Sequence, residues 1–183
     1  MRRLVCGLLL CAVASLGTAA DKAVPVEKRF ALSNGQSLVI RLPTGWGEST
    51  DARMFKGAPP GTVGLRGPDP KQMQFLIGPW QLDPSVNDDV ENLRKSTRYL
   101  AQTMEQQPAT QVNHEQQPLD GPNVRGFYVK GVDDKPKPDE YRYMYVGTVL
   151  ISSRACLIQV AWNDGAEATA KQAIAAIATA RIQ

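Results

Sequence analysis

The chain has 183 residues, 43% of them hydrophobic and 21% charged, with a formal charge of +3. That length supports a single domain with its own core, and so small a charge gives no electrostatic basis for binding nucleic acid or an anionic membrane. Cys6 and Cys11 fall in the leading apolar stretch, so Cys156 is left alone downstream and an internal disulfide is excluded there.

The first 20 residues read as a cleavable signal peptide. Arg2 and Arg3 supply the positive start, Leu4–Leu16 the apolar core, and Gly17, Thr18, Ala19 and Ala20 the small-residue exit. The core is shorter than the roughly 20 apolar residues of a spanning helix. Val5 and Leu10 precede the two leader cysteines where lipidation needs a small residue. Cleavage after Ala20 removes Arg2 and Arg3 and no acid, lowering the formal charge from +3 to +1. The expectation is export, to the periplasm, with no transmembrane segment in the mature chain.

Residues 21–27 read as a flexible lead-in and 28–183 as one domain. Arg29–Leu32 and Ser37–Leu42 are strands around Ser33-Asn34-Gly35-Gln36, since Asn-Gly tolerates the positive φ of a tight turn. Leu38, Ile40 and Leu42 share a face, and Pro43-Thr44-Gly45-Trp46 turns the chain. The Gly- and Pro-rich stretch Thr50–Lys71 holds one short strand, Thr62–Arg66, and Met73–Gly78 is the next. A helix follows, its stripe formed by Val86, Val90, Leu93, Leu100 and Met104 with Thr97 bridging. Asp83-Pro84 offers its cap and first position; Asp88 with Glu91 offers a later start. Glu91 stands four residues before Lys95, and Pro108 closes the helix.

Gln111–Gln117 and Val124–Lys130 read as strands about a turn at Pro118–Pro122, followed by a polar loop, Gly131–Glu140. In the strand Tyr141–Ile151, Tyr141, Tyr143, Tyr145, Val149 and Ile151 face one way and Met144, Val146 and Leu150 the other. In Ala155–Trp162, Cys156, Ile158, Val160 and Trp162 oppose Ala155, Leu157 and Ala161. A last helix starts at Asp164, which makes a capping box with Glu167, and runs through Ala170, Ile174 and Ile177 to about Ala180. Strands apolar on both faces need cover on both, and hairpins rather than βαβ units make the sheet antiparallel. The fold class is therefore α+β, a mainly antiparallel sheet covered by helices on both faces.

The Leu42-Pro43-Thr44-Gly45-Trp46 turn after an early hairpin, then a mid-chain helix, a strand pair and a terminal helix, resembles the PsbP-like superfamily over most of residues 28–182. That superfamily includes the extrinsic photosystem II subunit, a Ran-binding nuclear import factor and many small exported bacterial proteins. The resemblance implies an α/β/α sandwich and binding or assembly roles rather than catalysis. It supplies no shared catalytic residues.

His114-Glu115-Gln116-Gln117-Pro118 begins like a zinc-protease motif, but Pro118 stands where the second histidine belongs. Cys156 alternates with apolar strand residues and reads as an inert core thiol. Asp133-Asp134 and Asp139-Glu140 match no calcium loop. Leu42-Pro43-Thr44-Gly45 lacks a residue of a sortase signal. No catalytic, cofactor or metal site is expected. Trp46, Trp80, Tyr141 and Tyr143 are the candidate ligand or partner contacts, although core packing also explains aromatics in such places. The leading expectation is a non-enzymatic binding or assembly factor with another envelope protein as partner. One alternative is a small-ligand carrier with a pocket between sheet and helix. The other is a hydrolase-type enzyme whose carboxylates, such as Asp51, Asp69 and Asp120, converge in space.

Overall fold

A computed structural model describes residues 24–32, 35–51 and 57–183. The expected signal peptide (1–20), its cleavage point after Ala20, Cys6 and Cys11, and Ser33 and Asn34 of the first turn lie outside the described residues.

The chain opens with an antiparallel pair, β1 (Val26–Ala31) and β2 (Ser37–Leu42). β1 begins ahead of the expected Arg29: Val26 and Glu27 pair with Leu42 and Arg41. Residues this polar are ordered by the backbone ladder along the leucine- and isoleucine-bearing β2, a force that leaves no mark in an apolar pattern. Leu38, Ile40 and Leu42 all enter the core. β2 gains a second partner, β10 (Arg181–Ile182), which the sequence reading did not anticipate. Ser37 and Gln183 exchange two backbone bonds of 2.8 and 3.0 Å that lock the chain end to β2.

The larger sheet contains β3 (Gly47–Glu48), β4 (Val63–Arg66), β5 (Met73–Pro79), β6 (Thr110–Gly121), β7 (Val124–Asp133), β8 (Tyr143–Ile151) and β9 (Arg154–Trp162). Their order is β3-β4-β5-β9-β8-β7-β6, and every pairing is antiparallel. β9 thus sits at the centre beside β8. Ser152 and Ser153 join them with φ of 47° and 67°, the conformation a two-residue hairpin turn demands. β6 runs straight through Pro118, where a turn was expected, and the real turn is Pro122-Asn123. Proline fits because β6 is an edge strand, where one side of the backbone needs no ladder bond.

Helix α1 (Asp89–Glu105) starts at the later of its two expected caps: Asp88 Oδ1 accepts from Val90 N at 2.8 Å and from Glu91 N at 3.3 Å. Asp83 serves the preceding turn, accepting from Ser85 and pairing with Lys95 at 2.7 Å. The expected Glu91–Lys95 pair is therefore replaced; Glu91 takes Arg98 at 2.8 Å. Leu93, Thr97, Ala101 and Met104 make the buried stripe, whereas Val90 is exposed. Thr97 and Thr148 are both fully buried and join hydroxyl to hydroxyl at 2.9 Å, fixing α1 to β8.

Helix α2 (Glu167–Ile177) is shorter than expected and is not capped by Asp164. The Asp164 carboxylate is engaged elsewhere, by Tyr143 Oη at 2.8 Å and Arg142 at 3.2 Å, and the helix begins after Ala166 without a side-chain cap. Its alanines Ala170 and Ala173 have no exposed surface, and small side chains let the helix lie close between β2 and β9.

The two helices lie on opposite faces of the large sheet. Cys156, Ile158, Val160 and Trp162 of β9 join α2 and β2 in the main core, while Leu157 packs toward α1 with Met104 and Val146. This is the expected α+β architecture, an antiparallel sheet with a helical layer on each side.

Candidate functional site

α1 packs on β6, β7 and β8 and stops there. Beyond its C-terminal end, the same face of the sheet opens into a groove of about 940 Å³. Leu76 of β5, Gln159 and Ala161 of β9 and Met144 of β8 form its floor. Gly131 of β7 lets the floor pass beneath the helix, because a Cβ there would strike the Met104 thioether.

One wall is the helix exit, Gln107–Thr110, and the other is the polar loop after β7. Backbone bonds hold the loop to the first wall and join its own two ends. Asp134 N donates to Ala109 O at 3.0 Å, and Asp133 N to Arg142 O at 2.8 Å. Gln111 Nε2 donates to Asp134 Oδ2 at 2.6 Å, and Asp133 Oδ1 accepts from Lys135 N at 2.8 Å. Ala109 and Asp139 take φ of 65° and 71°, a left-handed geometry that bends each wall sharply. Asp133, Asp134 and Glu140 thus serve the loop's own backbone and neighbours, which is why they do not converge on a cation. The rim carries both signs of charge: Asp133, Asp139 and Glu140 with Lys135, Lys137 and Arg142.

The four aromatic contact candidates separate. Tyr141 lines the groove, its hydroxyl donating to Pro70 O at 2.7 Å. Trp46 is buried in the main core, tilted against Phe75 with ring centroids 5.9 Å apart. Tyr143 turns to the opposite face, stacked on Trp162 at 5.6 Å and bonded to Asp164. Trp80, just after β5, lines a smaller cavity at the seam with β2. Met104 and Met144 of the groove were read in the sequence as packing positions, and Gln159 was not singled out. Alternation put Met144 on the helix-bearing face, but only the width of the sheet relative to α1 shows that part of that face lies open.

Of the carboxylates considered for an enzyme, Asp120 stands apart from the other two. Asp120 lies on β6, at the edge of the sheet opposite β3. Asp69 caps its own turn through Lys71 N at 2.9 Å, and Asp51 accepts from Gln74 at 3.3 Å. His114 contacts Glu105 across 2.6 Å, and among the described residues no three His, Cys, Asp or Glu side chains group as metal ligands. Titrating groups that depart from their usual range move away from neutrality. Lys95 beside Asp83, and the Tyr143 hydroxyl on Asp164, hold those carboxyls below the carboxylate range. The bond to Asp164 raises Tyr143, burial raises Tyr128 and Tyr145, and burial pushes Cys156 up to about 11.

No protein-family profile matches the sequence, and no curated protein sequence does. Among solved structures, the chain is similar to cyanobacterial PsbP (CyanoP) from Synechocystis sp. PCC 6803, with a TM-score of 0.48 and 13% identity, over 96% of this chain and 99% of that one. Among the described residues, no helix is long and apolar enough to cross a membrane.

Proposed function

We propose that the protein is an exported, non-enzymatic binding or assembly factor that holds a segment of another envelope protein in the groove beyond α1. The groove carries this reading: an open concavity of about 940 Å³ with a partly apolar floor and a rim of both charges. Such a surface offers apolar contact at its base and charge pairs at its edge, the layout of a protein-binding patch. A general acid or base works best with a value near the operating pH, and the shifted groups here move the other way. Export rests on the pattern of Arg2, Arg3, Leu4–Leu16 and Ala20.

The test is affinity capture from envelope extract with the natural protein and with Gln159→Trp, which fills the groove floor. A partner retained by the natural protein and lost by a folded Gln159→Trp supports the reading; equal capture by both overturns it. The volume of the groove also suits a small ligand, since such pockets span about 300–1,000 Å³, so a carrier is the second reading. Native mass spectrometry of the captured protein distinguishes the two, because a carrier retains a small molecule rather than a polypeptide.

A further inference from the structure

A second cavity, of about 260 Å³, lies on the other side of the molecule, at the seam between β9 and β5 of the large sheet and β2 and β10 of the small one. Leu38, Ile77, Ile182 and Trp80 give it apolar walls. It is larger than the roughly 150 Å³ engineered space that takes up benzene and approaches the lower end of ordinary ligand pockets, about 300 Å³.

Its polar groups are few and of one kind. Among the described residues, Arg154 is the one charged residue lining it. Arg154 is exposed at the start of β9, and its guanidinium has no hydrogen-bond or ion-pair partner among the described residues. Its field reaches the Cys156 thiol, which also lines the cavity, so the cation stands beside the apolar space. Trp80 lines the cavity with its ring, and its indole N–H is itself buried away from the open space. Among the described residues the cavity therefore presents apolar walls and one cation without an ion-pair partner, and no side-chain carboxylate.

We infer that this seam cavity binds a small amphipathic carboxylate, its apolar part between Leu38, Ile77 and Trp80 and its anionic group at Arg154. The inference is independent of the groove, which opens on the opposite face of the sheet.

Hexanoate and uncharged hexanol, titrated into the full chain and followed by amide and indole NMR signals, test it. Hexanoate should give saturable shifts at Gly78, the Trp80 indole and Cys156. Arg154→Gln should weaken hexanoate by about tenfold or more, as loss of a charge partner does, and leave hexanol unchanged; Arg154→Lys should restore most of the binding. Arg154 is exposed, so the variants keep the fold, and their unshifted spectra report it. The proposal fails if the shifts rise without saturating, if they centre on Met144 and Gln159, or if Arg154→Gln binds hexanoate as the natural protein does. An equal weakening of hexanol would also overturn it, since that would make the effect one of shape rather than charge.

Discussion

Cys156 shows how a single side chain's surroundings set its chemistry. Strand alternation alone turns it inward beside Ile158, and apolar neighbours disfavour the thiolate, moving the thiol from 9.0 up to about 11. The folded protein then holds the thiol proton more tightly than the unfolded chain does. Its contribution to stability is complete below pH 9 and is lost as the pH rises toward 11. Urea unfolding at pH 8 and pH 11 should therefore show the natural protein losing about 2–3 kcal/mol more than Cys156→Ala. Tyr128 and Tyr145, raised by burial in the same direction, titrate in both proteins and cancel in the difference. Parallel losses would mean that the thiol is hydrated in solution.

At the scale of elements, the two helix starts separate what local sequence specifies from what packing decides. Asp88 caps α1 through two backbone N–H groups, so Asp88→Ala should cost about 1 kcal/mol. Asp83→Ala should cost less, because the carboxylate serves an exposed ion pair with Lys95 and a turn outside the helix. Thermal melts of the two variants check this; a larger loss at Asp83 would move the start of the helix. Both aspartates were visible as caps in the sequence, but the choice depends on Asn92, whose buried side chain bonds the Asp83 backbone and makes Asp83–Val86 a turn. Asp164 was equally plausible as a cap, and Tyr143 and Arg142, distant in sequence, take its oxygens instead. The large strands and most of their faces were legible from Tyr145, Val149, Ile158 and Val160, but Tyr141, read on the face of Tyr143, precedes β8 and lies in the groove on the other side. β10 was not legible, since Arg181-Ile182 has too few residues to show a period and forms only against β2. The groove was hidden for a similar reason: it exists where α1 ends before the sheet does. Of the aromatics flagged, only Tyr141 lines it.

The whole molecule is organised around β9, the middle strand of seven, flanked by β5 and β8. β5 and β9 are far apart in sequence, so their pairing closes a long loop, and the entropy of that closure must be offset by what the strand buries. Ile158 is the centre of that burial. It sits opposite Ile77 on one side and Gly147 on the other, has no exposed surface, and belongs to the core shared by the large sheet, α2 and β2. Ile158→Ala removes atoms from a place where three layers meet and none can collapse freely, so it should cost about 2–5 kcal/mol, a large part of the roughly 5–15 kcal/mol of a typical domain. Lys137 offers the contrast. It lies in the loop at the groove rim with 80% of its side chain exposed, and among the described residues that side chain makes one 3.5 Å pair, with Glu140. Lys137→Ala should change stability by less than about 0.5 kcal/mol. Urea unfolding of both variants, with the slope of the transition compared as well as its midpoint, decides the matter. Equal losses would mean that the groove rim bears on the stability of the core, and the separation between a rigid three-layer centre and a peripheral binding face would have to be abandoned.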